Sequence, residues 1–216
     1  KANDIFKDYI AKIEDGTYEA DKQAWPIYER IAQNYAGALE LDEAIRYFEM
    51  LYRRSESSEE PYEYAPAALF NAGFLRIGLG DHAGAAQNLE KYAEENREQL
   101  DAEAAMWSAA DQWALVGDAE AESFYERYLE SWGTSNPDHA IAARYELAQF
   151  AEGRDDRKKE AAWGAVMDLY NEFAAQDKIG PLGQHYAAAA AFRPLQQRFD
   201  ELQVYEFTDD EEANAQ

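Results

Sequence analysis

Gly78, Gly80 and Gly84, in the stretch "NAGFLRIGLGDHAGAAQNLEKY" at 71–92, read G-x-G-x-x-x-G. The spacing is close to that of a glycine loop cradling a dinucleotide pyrophosphate. That chemistry needs a buried strand before the glycines and a helix after them, because the phosphates sit on the helix N-terminus. The preceding residues "APAALFNAGFLRIG" do not read as a strand. They place Leu69, Ala72, Gly73 and Arg76 at helical spacing, are rich in alanine, and carry no β-branched run. The glycines therefore punctuate two helices. Gly80-Asp81 is the break, and Asp81 is placed to cap the second helix by accepting from its free N–H groups. Ala85, Leu89 and Tyr92 form the apolar stripe of that helix.

Other reactive side chains form no constellation. His82, His139 and His185 are far apart, and none belongs to H-x-x-x-H or H-E-x-x-H, so no zinc site is expected. Cysteine is absent, which removes disulfides, thiolate ligands and a thiol nucleophile. Asp155-Asp156 and Glu94-Glu95 lack the spacing of a calcium loop. No G-x-S-x-G elbow presents a serine. "GRDDRKK" at 153–159 is the one basic cluster, and its own aspartates balance it, so it reads as a solvated turn. The expectation is a chain that is not an enzyme, with no cofactor and no metal.

The totals fit that expectation. The 216 residues suffice for one elongated domain or two small ones, and 47% hydrophobic residues can build a core. No run approaches the roughly 20 apolar residues of a membrane span, so no direct membrane insertion is expected. Lys1 is not a natural start and suggests a processed or excised segment. Acidic residues number 44 against 20 basic, for a net charge of −24. Such a surface repels nucleic acid and anionic membranes and suits a basic partner. Solubility, or a salty medium, explains the same charge.

The helix–turn–helix pattern recurs. "AWPIYERIAQNYAGALELDEAIRYFEMLYRR", "ALFNAGFLRIGLGDHAGAAQNLEKYAEEN", "EAAMWSAADQWALVGDAEAESFYERYLESW" and "AIAARYELAQFAEGRDDRKKEAAWGAVMDLYNEF" each carry it. These stretches resemble the tetratricopeptide repeat over about residues 25–175. In the first copy, Tyr28, Ile31, Ala32 and Tyr35 match the family's first helix, and Ala44, Phe48 and Leu51 its second. In the second copy, Arg76 and Tyr92 depart from the usual residue types. The third gives Met106, Ala109, Ala110 and Trp113, then Ala121, Tyr125 and Tyr128. The fourth gives Leu147 and Ala148, then Ala162, Val166 and Leu169, with Arg144 on a core position. The marker alanines Ala44, Ala85, Ala121 and Ala162 lie 41, 36 and 41 residues apart. The family period is about 34, and the excess falls in the connections "SESSEEPYEYAP" and "SWGTSNPD".

The resemblance implies an all-α fold, a right-handed α-solenoid of helix–turn–helix repeats with a C-terminal capping helix. Residues 1–15 would be the second helix of a partial preceding repeat, or an N-terminal cap. Four repeats would follow at 18–58, 62–99, 102–133 and 137–176, then a capping helix at 182–205 and an acidic, disordered tail at 206–216. Pro194 should kink or break the capping helix. Gly73, Ala110 and Ala148 would let hairpins close against Ala85, Ala121 and Ala162.

In the family, certain first-helix positions face a concave groove that binds peptides. Carried over, these are Glu29, Gln33, Phe70, Phe74, Trp107, Asp111, Tyr145 and Gln149. Phe70, Trp107 and Tyr145 hold equivalent positions and would form an aromatic row. It would serve as a recognition surface or be covered by neighbouring helices. Family members that clamp a C-terminal carboxylate use Lys, Asn and Arg in the groove. Glu29, Gln33, Phe70 and Asp111 argue against that role here. The expected function is a non-enzymatic scaffold binding a peptide or helical segment of a partner protein, a basic one fitting best. The alternative is an assembly module of a larger bacterial envelope complex with an empty groove. A third possibility, an enzyme or small-molecule binder, has no supporting constellation. A periplasmic or envelope setting is preferred over the cytoplasm.

Overall fold

The computed structural model describes residues 2–18, 24–152 and 156–203. Among them are ten α-helices and no strand. They are α1 (Ala2–Glu14), α2 (Ala24–Gly37), α3 (Leu41–Glu56), α4 (Ala65–Leu79), α5 (His82–Glu95), α6 (Ala102–Val116), α7 (Asp118–Trp132), α8 (Pro137–Phe150), α9 (Asp156–Ala174) and α10 (Pro181–Gln203). The chain is all-α and divides into two compact units, Lys1–Phe124 and Tyr125–Gln216, the boundary falling inside α7. Within the described residues no helix is long and apolar enough to cross a membrane.

Local chemistry sets the ends of these helices. Gly80 holds φ +74°, a left-handed conformation that costs glycine little, and terminates α4. Its N–H donates to the Ile77 carbonyl at 3.0 Å and the Asp81 N–H to the Arg76 carbonyl at 3.0 Å, the bond pair of a Schellman cap. Asp81 then caps α5, accepting from the Gly84 N–H at 3.1 Å. The glycine triplet thus straddles an interhelical turn, Gly78 in the last turn of α4 and Gly84 in the first turn of α5, with a helix where a phosphate loop needs a strand. Asn136 caps α8, accepting from the N–H groups of Asp138 at 3.1 Å and His139 at 3.4 Å, with Pro137 opening the helix.

In the first unit consecutive helices from α1 to α6 pack on one another. Ile10, Tyr28, Ile31, Phe48 and Leu51 are buried, and Ala44, Ala72, Ala85, Ala109 and Ala110 are fully enclosed. Gly73 marks a close helix approach. A methyl group there would lie 3.0 Å from Leu89 Cγ and 3.4 Å from Asn88 Cβ. The small residue of α4 therefore seats Leu89, one helical turn beyond the expected Ala85. Leu89 is itself fully buried.

Arg76 and Tyr92, the two departures from the repeat pattern, have polar partners. Arg76 donates to Glu49 Oε1 from Nη2 at 2.7 Å and from Nε at 2.9 Å, and also pairs with Asp81. Asn88 Nδ2 joins the same Glu49 oxygen at 2.9 Å, so one carboxylate ties α3, α4 and α5. Gly84 leaves the room, since a Cβ there would lie 2.8 Å from Arg76 Nη1. Tyr92 donates its hydroxyl to Asp101 at 2.8 Å, at the start of α6.

In the second unit α8, α9 and α10 pack mutually. Ala140, Ile141, Ala148, Trp163, Val166, Phe173 and Ala190 form the core. Arg144, on a core position of the pattern, is half-buried, and its Nε has no hydrogen-bond partner. The start of α10 is held from α8: Asp138 accepts from the N–H of Gly180 at 2.7 Å and of Leu182 at 3.2 Å. Beyond that start, α10 continues through Pro194 to Gln203 instead of breaking. Proline forfeits one bond, to the Ala190 carbonyl. The alanine-rich turns before it and the Leu195–Leu202 turns after it keep helical geometry around that gap. The expected acidic tail at 206–216 lies outside the described residues.

Candidate functional site

The expected groove residues fall into two sets, six in the first unit and two in the second. Glu29 on α2 is fully engaged. It accepts from Gln33 Nε2 at 2.9 Å and from the Tyr62 hydroxyl at 2.8 Å. Burial and the Glu29 bond push the Tyr62 phenol up to about 12. Phe70 on α4 is half-buried, its ring 4.7 Å from Phe74 and 5.0 Å from Tyr92. Phe74 is 46% exposed. On α6, Trp107 is half-buried and Asp111 exposed.

Tyr145 and Gln149, from α8, line a cleft of about 770 Å³ walled by α9 and α10. Tyr145 meets Trp163 edge-on at 5.1 Å and Tyr186 at 5.0 Å, so it is half-buried rather than presented on an open face. Trp163 and Phe192 supply the remaining aromatic wall, and Gln196, Asp200 and Glu201 the polar one. Glu152 organises the charges. It accepts from Trp163 Nε1 at 2.8 Å and Arg193 Nε at 2.5 Å, and pairs with Lys159 at 3.2 Å. Burial alone would raise its carboxyl, but the bonds from Arg193, Lys159 and Trp163 outweigh burial and hold it below the usual range. The Arg193 guanidinium lies 4.9 Å from the Trp163 ring centroid, a cation–π contact. Glu146, on α8, is shifted the other way, its carboxyl raised by burial.

This arrangement suits recognition: flat apolar rings, a carboxylate already hydrogen-bonded to cations, and exposed amides. Among the described residues no group of three or more His, Cys, Asp or Glu is placed to hold a metal ion. His82 Nδ1 lies 2.9 Å from Gln112 Oε1, and His139 Nδ1 lies 2.9 Å from Asn136 Nδ2. Both histidines are thus tied into polar contacts near helix starts.

The groove positions named from the repeat pattern include Tyr145 and Gln149, and the cleft also takes in Trp163, Phe192, Arg193 and Glu152, which that pattern does not mark. The repeat pattern assigns groove positions to first helices only, and all four of these residues stand on α9 and α10 or in the connection after α8. The one signal in the sequence is Phe192-Arg193, an apolar–cationic pair that ends the alanine run at 187–191.

No protein-family profile matches the chain, and no curated protein matches it. Among solved structures it is similar to a Podosopora anserina protein described as a kinesin light chain with nearly identical TPR-like repeats. The two are 13% identical with a TM-score of 0.42, the match covering 82% of this chain and 87% of that one.

Proposed function

We propose that this chain is a non-enzymatic interaction scaffold that binds a peptide or helical segment of a partner protein, with basic segments preferred. The observation that carries the reading is the cleft lined by Tyr145, Gln149, Trp163 and Phe192 beside the Glu152 network. Rigid aromatic walls provide contact area at low entropic cost, and bonded charges at the rim select the partner's polar groups. The net charge of −24 favours encounter with cations. Glu29, Gln33, Phe70, Phe74, Trp107 and Asp111 are proposed as further contacts.

The test is fluorescence anisotropy with labelled 12-residue extended peptides, one set rich in Lys, Arg and aromatics, the other in Glu and aromatics. Basic peptides should bind. Tyr145→Ala and the exposed-site variant Gln149→Arg should each weaken binding about tenfold, or about 1.4 kcal/mol, with the circular dichroism spectrum unchanged. Binding indifferent to peptide charge, or unaltered by both substitutions, would refute the assignment.

A further inference from the structure

The two halves of α10 differ in their surroundings. Its first half carries Tyr186, Ala187 and Ala190, packed into the second unit. Its second half presents Phe192, Leu195, Phe199 and Leu202, exposed at 57%, 57%, 55% and 68%. The intervals of three, four and three residues place these side chains in one stripe along the helix. Single exposed apolar residues are ordinary on a protein surface. Four in helical register, adjoining the aromatic cleft through Phe192, make a continuous apolar strip.

We propose that this strip docks a cationic amphipathic helix of a partner protein. The proposal rests on the interaction-scaffold reading and names the partner's chemistry. Helical form follows from the register: a 3-4-3 apolar ridge is matched by the ridge of another helix. Cationic character follows from charge. A second copy of this chain would bring another −24 to the contact and be repelled, whereas a Lys- or Arg-faced helix is drawn in. Arg193, next to the strip, is already neutralised by Glu152 and Glu160. Asp200, which accepts from Gln196 Nε2 at 2.9 Å, and Glu201 outnumber the exposed Arg198 on the same helix turns, a local negative excess that meets incoming cations.

The experiment uses the full chain and three synthetic 21-residue peptides. One is a helix with Leu at heptad a and d positions and Lys elsewhere. The second is its scrambled counterpart of identical composition, and the third carries Glu in place of Lys. The Lys helix should bind at least tenfold tighter than the scrambled peptide, and the Glu helix at least tenfold weaker than the Lys helix. Leu195→Gln with Phe199→Gln should remove the preference over the scrambled peptide. Both side chains are exposed, so the thermal midpoint should not fall. Equal binding of Lys helix and scramble, or an unaffected double variant, would overturn the proposal. So would a dimer in sedimentation equilibrium that the double variant dissolves, because the strip would then belong to a second copy. If extended peptides still depend on Tyr145 while the strip variant changes nothing, the scaffold reading stands and this inference falls. Loss of both would sink the two together.

Discussion

Three tyrosines of the first unit donate their hydroxyls to carboxylates across helices: Tyr62 to Glu29, Tyr52 to Glu95 and Tyr92 to Asp101. Burial first, then the adjacent carboxylate, pushes the Tyr62 and Tyr92 phenols up to about 12 and Tyr52 higher still. Burial does the same for Tyr28, aided by Glu14 and Tyr47, against a lowering influence from Arg54. A folded-state value above the unfolded value of about 10 means the native state holds its protons longer. The associated stability is therefore complete below pH 10 and lost as pH climbs from there towards 12. A spectrophotometric titration at 295 nm should resolve a late class of tyrosines, and the urea midpoint should fall over the same window. Tyr62→Phe and Tyr92→Phe should each shrink the late class. A single transition near pH 10 with a flat urea midpoint would contradict this account. Gly73 offers a second test at this scale. Gly73→Leu forces a side chain into the space of Leu89, and overpacking of that kind costs about 1–3 kcal/mol. A urea melt of the variant that matched the parent would mean that α4 and α5 do not close at this point.

At the scale of elements, the helices were legible because their signals are local. Gly80-Asp81, Asn136-Pro137 and Gly180-Pro181 mark ends within a residue or two of where the helices stop or start, and alanine at the buried spacing marks the faces. The links between elements were not legible. Arg76 looked like a fault in the pattern until Glu49, 27 residues earlier, came into contact. Tyr145 ends an aromatic row that the sequence leaves either open or covered, and Trp163 and Tyr186 from later helices pack against it. No periodicity records such pairings, since each depends on where two distant helices meet. Asp138 is the sharpest case, capping a helix that starts more than 40 residues later. Asp138→Ala should cost about 0.5–2 kcal/mol, as loss of a helix cap does. Amide exchange at Gly180 and Leu182 should accelerate before exchange in the middle of α8 changes. Unaltered exchange at those two amides would show that packing alone positions α10.

At the scale of the whole molecule, charge acts on folding and on binding in opposite directions. With 44 acidic and 20 basic residues, every cation can be paired and 24 negative charges remain in excess. Their mutual repulsion opposes compaction, and added salt screens it, because the Debye length shrinks from about 30 Å at 0.01 M to about 8 Å at 0.15 M. Salt also weakens attractive pairs. The strongest of these, Arg76 with Glu49 and Arg193 with Glu152, are partly buried and hydrogen-bonded, so they are screened least. Repulsion should dominate, and the thermal midpoint should rise between 10 and 150 mM NaCl. A gain of about 1 kcal/mol corresponds to roughly 2–4 °C for a chain of this size. Capture of a cationic helix should weaken over the same range, since its encounter relies on the field that salt removes. The pairing of the two trends is the test. Scanning calorimetry showing a falling midpoint would place attractive pairs above repulsion in the energetics of the fold. Salt-insensitive binding of the Lys helix would mean that the apolar strip acts without help from the field, and the preference for a cationic partner would lose its physical basis.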